Sequence, residues 1–131
     1  MLFEYMQQLV QTQDGKILFV LALIAIAMTI DYFTGTLASR INPNETPNSG
    51  KGINGILRKI ASMVLMVFFI PVSVLIPSHA GIAMLYTLYI GYLLMEILSL
   101  LENFERMGVE VDLFRKFLEV IRGKSEDETA E

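Results

Sequence analysis

The sequence predicts an all-α integral membrane protein with three transmembrane helices and an amphipathic helix near each end. Three observations predict it. Of 131 residues, 53% are hydrophobic and only 18% are charged, and the mean hydropathy is +0.52. The apolar residues are gathered in long runs, and about 20 such residues cross the ~30 Å hydrocarbon of a bilayer. Between the runs lie short stretches rich in Pro, Asn, Gly and basic residues, which read as turns and loops.

Residues 1–16, MLFEYMQQLVQTQDGK, place Leu2, Phe3, Met6, Leu9 and Val10 at helical spacing, so they are expected to lie along the interface as an amphipathic segment. The stretch carries two acids and one lysine, and no small-residue cleavage site ends the run that follows, so it fits a secretory signal poorly. Residues 17–38 form the first span. Ile17 to Ile30 carry no charge but are too few to cross alone, so the span must accept Asp31, Thr34 and Thr36. Residues 39–59 read as a basic Gly/Pro/Asn-rich loop. A helical hairpin follows over 60–101. Its first arm, 60–77, contains Pro71, with Ser73 near enough to help satisfy the carbonyl that proline frees. A tight turn at Pro77-Ser78-His79-Ala80 leads into the second arm, 81–101, interrupted only by Glu96. Residues 102–123 are expected to form a cytoplasmic amphipathic helix. There Val111, Phe114, Phe117, Leu118 and Ile121 make an apolar stripe among Arg115, Lys116 and Arg122, suited to a membrane surface or to neighbouring subunits. Residues 124–131, KSEDETAE, read as a disordered acidic tail.

Orientation follows from the basic residues that flank the spans. Arg40, Lys51, Arg58 and Lys59 follow span one, and Arg106, Arg115, Lys116, Arg122 and Lys124 follow span three, against Lys16 alone on the other side. The N-terminus is therefore expected outside and the C-terminus in the cytoplasm.

Acids within spans are costly, by about 2.5–3.5 kcal/mol at the bilayer centre on insertion scales, so they must face protein or water. Asp31 lies seven residues before Ala38, about 10 Å from the inner end at 1.5 Å per residue. Glu96 is at similar depth before Leu101, and Lys59 could snorkel towards either. Ala27, Asp31, Gly35 and Ser39 recur every four residues, a small-residue stripe that allows close helix approach. On span three, Tyr89, Tyr92, Glu96, Ser99 and Asn103 share one face. The candidates for self-association or for lining water are thus Ala27, Asp31, Thr34, Gly35, Ser39, Tyr89, Tyr92, Glu96 and Ser99, with Lys59 as the charge-pair candidate. A carboxylate bond that only holds the fold together explains the two acids equally well.

Several function classes are disfavoured. With no cysteine and a single histidine, His79, neither a thiolate nor a histidine metal cluster can form. Gly50-Lys51-Gly52 lacks the flanking Gly and Ser/Thr of a phosphate-binding loop. Asp31 and Glu96 have no nucleophile or oxyanion donors beside them, so no enzyme and no cofactor is expected. A net charge of −4 argues against nucleic acid.

With these residues in view, the chain resembles the toxin-secretion/phage-lysis holin family of Gram-positive phages and clostridial toxin release. The likeness runs in order through Asp31-Tyr32-Phe33-Thr34-Gly35, then Ser49-Gly50-Lys51-Gly52-Ile53-Asn54-Gly55-Ile56 with Arg58-Lys59-Ile60. It continues through the hairpin and the stretch from Glu102-Asn103 to Met107-Gly108-Val109. It covers about Ile17 to Gly123. Two departures are Val111-Asp112, where family members often carry a proline, and the acidic end, where theirs tend to be basic. The resemblance implies a protein that oligomerises with itself in the bilayer of the bacterial (host) cytoplasmic membrane. Its lesions release an endolysin, or a toxin, as cargo without direct binding, and an antiholin is a further candidate partner. Two other readings stay open: a small homo-oligomeric transporter using Asp31 or Glu96, and a non-conducting adaptor that docks a partner through its tail. The transporter is opposed by the number of spans, the missing repeat symmetry and the depth of the acids.

Overall fold

The computed structural model describes the backbone of residues 1–41 and 49–130 and the side chains of 1–41 and 52–123. Five helices follow in order: α1 Leu2–Leu9, α2 Gln13–Ile41, α3 Ser49–Ser73, α4 Ala80–Arg106 and α5 Asp112–Ala130. No strand occurs among the described residues. The centre of the expected loop, 42–48, lies outside them.

α1 buries nothing and presents Leu2, Phe3 and Tyr5 outwards. The chain then turns at Thr12, whose side-chain oxygen accepts the Gly15 N–H at 3.0 Å and caps the start of α2. With 29 and 27 residues, α2 and α4 are about 43 and 40 Å long at 1.5 Å per residue, more than the hydrocarbon requires.

α2, α3 (from Gly52 to Ser73) and α4 are each long and apolar enough to cross a membrane. α2 and α4 are the principal packed pair. On α2 the buried residues Ile17, Val20, Ile24, Ala27, Met28, Thr34 and Ala38 follow helical spacing and form one stripe. That stripe meets Leu85, Tyr89 and Ile90 of α4 in a common core.

α3 lies against this pair and is barely buried. Of its described side chains, only Met66 and Ser73 are enclosed. Ile53, Leu57, Val64, Leu65 and Phe68 all face outwards, the surface a bilayer would cover. The Tyr89 hydroxyl donates to the Met66 carbonyl, fastening α4 to the middle of α3. Near the other end of α2, the Lys16 ammonium sits 4.2 Å from the centre of the Tyr86 ring.

The helix ends differ from those read in the sequence. α3 begins at Ser49, not at Ile60. Arg58 and Lys59 lower the hydropathy of this stretch, but Ile53, Ile56, Leu57 and Ile60 keep the helical period through it. α3 also stops at Ser73, short of Pro77, and leaves through tight turns in which Val74, Leu75 and Ile76 bond three residues back. The Ser73 hydroxyl donates to the Ile70 carbonyl at 2.6 Å and so leaves the Val67 carbonyl, which proline frees, without its help. Ser78 then takes a left-handed φ of 65°. Gly81, the second residue of α4, lies so close to the Ser73 carbonyl that no side chain fits there.

α4 ends in a Schellman turn. Val109 N–H bonds the Phe104 carbonyl at 3.0 Å and Gly108 N–H the Glu105 carbonyl at 2.9 Å, with Gly108 at φ 90°. The chain doubles back, so that Arg115 of α5 pairs with Glu105 of α4. Val111 and Leu118 pack on Leu101 in a second, small core. α5 continues through Lys124 to Ala130, where the sequence reads as a disordered tail. Its Lys, Glu and Ala are helix formers, and propensity outweighs their charge.

Candidate functional site

The polar residues of the three spans converge in the seam between α2, α3 and α4. Asp31 is on α2, Lys59 on α3 and Glu96 on α4, each on the inward face of its helix. The Lys59 ammonium stands 2.6 Å from Asp31 Oδ2 and reaches both Glu96 oxygens, at 2.9 Å for Oε2 and 3.2 Å for Oε1. One cation therefore serves two carboxylates from two other helices.

Asn103 completes the cluster. Its Nδ2 donates to Asp31 Oδ1 at 2.8 Å, to the Asp31 carbonyl at 3.0 Å and to Thr34 Oγ1 at 3.0 Å. The Thr34 hydroxyl in turn donates to the Ile30 carbonyl at 2.7 Å. On its other side, Asn103 Oδ1 accepts from Arg106 Nη2 at 2.7 Å. The cluster thus holds two acids and one base in direct contact, with a second base one amide away. Among the described residues, no buried side-chain nitrogen or oxygen lacks a partner. That completeness is what low-dielectric surroundings demand of polar groups.

Of the residues singled out in the sequence, Asp31, Thr34, Gly35, Lys59 and Glu96 come together here. Gly35 faces Asn103, and a side-chain carbon at Gly35 would stand 3.4 Å from Asn103 Nδ2. Ala27 belongs to the α2–α4 packing stripe. Tyr89 lies two turns from Glu96 and bonds α3 at Met66 instead. Tyr92 packs beside the first core. Ser39 donates to the Gly35 carbonyl at 3.1 Å along its own helix, and Ser99 is half-buried; neither joins the cluster. The small-residue stripe of α2 therefore meets α4 of the same chain. Glu96, whose depth and length allow it to reach water, is instead buried, because both its oxygens are drawn inwards to Lys59. Asn103 shares a face with Glu96 in the sequence, but its role as the hub is visible only once α2 is placed beside it. Arg106, one turn further on, enters through Asn103.

A crevice of about 310 Å³ runs between α2 and α3, lined by Ala25, Met28, Thr29, Tyr32, Ile56, Lys59, Ile60 and Met63. Its walls are mostly apolar, and Lys59 reaches its edge while bonded to the two acids. No group of three His, Cys, Asp or Glu that could hold a metal occurs among the described residues. The cluster can do one thing by its geometry: fasten α3, which has little buried surface of its own, to the α2–α4 pair.

Three helices of membrane-spanning length with their charges paired in the seam between them make this a small multi-pass membrane protein. The model of the bacteriophage holin family matches residues 9–123, and the chain belongs to that family. It is 29% identical to the antiholin of Bacillus phage phi29, over 95% of both chains. It is 31% identical to the antiholin of Bacillus phage B103, over 93% of this chain and 88% of the relative. The antiholin of Bacillus phage PZA is 30% identical over 89% and 85% of the two. No solved structure matches the chain.

Proposed function

We propose that the protein is a holin. It accumulates in the bacterial cytoplasmic membrane with its N-terminus outside and its C-terminus in the cytoplasm, associates with further copies of itself, and opens lesions through which an endolysin reaches the wall. Family membership supports a role in lysis control, and the basic residues after spans one and three support the orientation. The observation that carries the pore-forming reading is the arrangement of Asp31, Lys59, Glu96 and Asn103. Polar groups from three spans are closed on one another within a single copy. When α3 leaves the α2–α4 pair, Asp31 and Glu96 lose their shared cation and become a wettable face beside Thr34 and Asn103, as a water-filled lesion requires. This reading gives the protein no catalytic role, and the endolysin passes as cargo without binding it.

Regulated expression of the chain alone in a bacterium tests the proposal. A holin produces an abrupt loss of membrane potential at a set time, followed by lysis when an endolysin is present. Large-dye leakage from liposomes separates it from a transporter, which moves only small solutes, and from an adaptor, which moves neither.

The names of the relatives favour a second reading, as an antiholin. In that role the same seam would let the chain enter and poison assemblies of a partner holin. Expressed alone it would leave the potential intact, and expressed with a holin it would delay that holin's lysis.

A further inference from the structure

Among the described residues, α5 is attached to α4 by one flank only. Val111 and Leu118 are buried against Leu101, and Arg115 pairs with Glu105. At 3.6 residues per turn, Leu113, Phe114, Phe117, Val120 and Ile121 fall within roughly 120° of the helix surface, beside that flank. All five are exposed, Leu113 at 77% and Phe117 at 70%. Lys116 borders the open edge of this face, and Arg115 and Arg122 stand on the far side of the α4 contact.

We infer that this face of α5 docks into the boundary between headgroups and acyl chains of the leaflet beside the end of α4. The level of α5 follows from α4. Residues 80–101 are about 33 Å long and cover a hydrocarbon layer of ~30 Å, so Leu101 lies at its edge. Glu102, Glu105 and Arg106, exposed just beyond, belong in the headgroup layer. The contact of Val111 and Leu118 with Leu101 therefore holds α5 at the boundary itself, and lipid surrounds its open face before any second copy arrives. Its make-up suits that place, with large apolar residues on one side and Lys or Arg at the edges, whose stems lie along the apolar face while their charges reach water.

Apolar contact, not charge, supplies the attraction. Residues 112–123 carry three bases and two acids, and residues 124–131 carry one base and four acids. With so little net positive charge in residues 112–123, docking proceeds equally well on a zwitterionic surface. The inference rests on α4 crossing the bilayer and is independent of whether the chain is a holin or an antiholin.

The chain has no tryptophan, so one introduced residue reports its own surroundings. Phe117→Trp and, in a separate chain, Leu88→Trp on the outward face of α4 are to be reconstituted in phosphatidylcholine vesicles, with and without phosphatidylglycerol. The acyl chains are brominated near the headgroup end or near the middle of the bilayer. Docking predicts blue-shifted Phe117→Trp emission, quenched several-fold more by the shallow bromines than by the deep ones in both lipid mixtures. Leu88→Trp shows the opposite preference. Adding Leu113→Ser and Val120→Ser, which leave the α4 contact intact, halves the quenching at Phe117→Trp or lowers it further. Red-shifted, unquenched emission at Phe117→Trp places the face in water and overturns the proposal. Blue-shifted but unquenched emission means that protein covers the face, and quenching only with phosphatidylglycerol means that charge holds it; either also overturns it. Loss of deep quenching at Leu88→Trp instead removes the span on which the proposal rests.

Discussion

Replacing Lys59 with methionine keeps a long apolar side chain and removes the charge that joins three helices. In the native chain the Lys59 side chain is 21% exposed, with Asp31 at 15% and Glu96 at 10%. Lys59→Met leaves two carboxylates facing one another in a largely enclosed seam, and their remaining exposure gives only partial access to screening water. Removing one partner of a buried ion pair costs about 3–5 kcal/mol. The residual exposure points to the lower end, about 3 kcal/mol, which is roughly a hundredfold at 1.4 kcal/mol per decade. α3 has little else to hold it: the buried Met66 and Ser73, the half-buried Met63 and Ile70, and the bond from Tyr89. The cost therefore falls on the docking of α3 and spares the α2–α4 pair. Because the chain has no cysteine, Thr29→Cys and Met63→Cys can be introduced on opposite walls of the crevice and their disulfide followed over time. Lys59→Met should slow that crosslink by a factor of about ten or more and bring lysis forward. Adding Asp31→Asn and Glu96→Gln, which neutralise the stranded acids, should restore most of the crosslinking rate. An unchanged rate in Lys59→Met, or a triple variant no better than the single one, would refute the argument that this cation fastens α3.

Four further outcomes follow from the same geometry. Gly35→Leu forces atoms into the 3.4 Å approach to Asn103, an overpacking cost of about 1–3 kcal/mol; lowered resistance to denaturation in detergent and delayed or abolished lysis are expected, with membrane insertion unchanged. Asp31→Asn supplies one acceptor oxygen where Lys59 and Asn103 each require one, so one bond is lost at about 1–3 kcal/mol; the chain still folds and lyses, whereas Asp31→Leu inserts more readily but fails to release a potential-sensitive dye. Glu96→Gln keeps an acceptor for Lys59 and should match Asp31→Asn in size, not fall well below it, when the two are compared by denaturation at equal membrane levels. A reporter fused after Glu131 should behave as cytoplasmic, and an extracellular signal would reverse the assigned orientation.

The long helices and the turn between the last two are legible in the sequence because hydropathy registers what lipid touches. The start of α3 is not. Its first turns run into Arg58 and Lys59, and those charges mask a helical period that continues through Ile53, Ile56, Leu57 and Ile60. The inward faces of α2 and α4 can be drawn from spacing alone, which is why Asp31, Gly35, Tyr89 and Glu96 stand out as a set. Spacing along one helix says nothing of which face meets which. The pairing of Gly35 with Asn103, and the single ammonium shared by Asp31 and Glu96, arise only when three helices are set side by side. Tyr89 illustrates the same limit: its spacing groups it with Glu96, yet its hydroxyl selects a backbone carbonyl of α3.

The corner between α3 and α4 has a mechanical consequence. At one end of α3, the Ser73 carbonyl lies so close to Gly81 that the two helices meet without room for a side chain. Lys59 lies fourteen residues away along α3, about 21 Å at 1.5 Å per residue, and the Tyr89 bond to Met66 falls midway. α3 is thus hung like a door, with its hinge at Ser73, a catch at Met66 and a lock at Lys59. In the proposed lesion, releasing the lock would open a wedge widest at the Lys59 end and closed at the hinge. Water would then enter from the side of the bilayer where Lys59 stands and reach Asp31 and Glu96 before Tyr89.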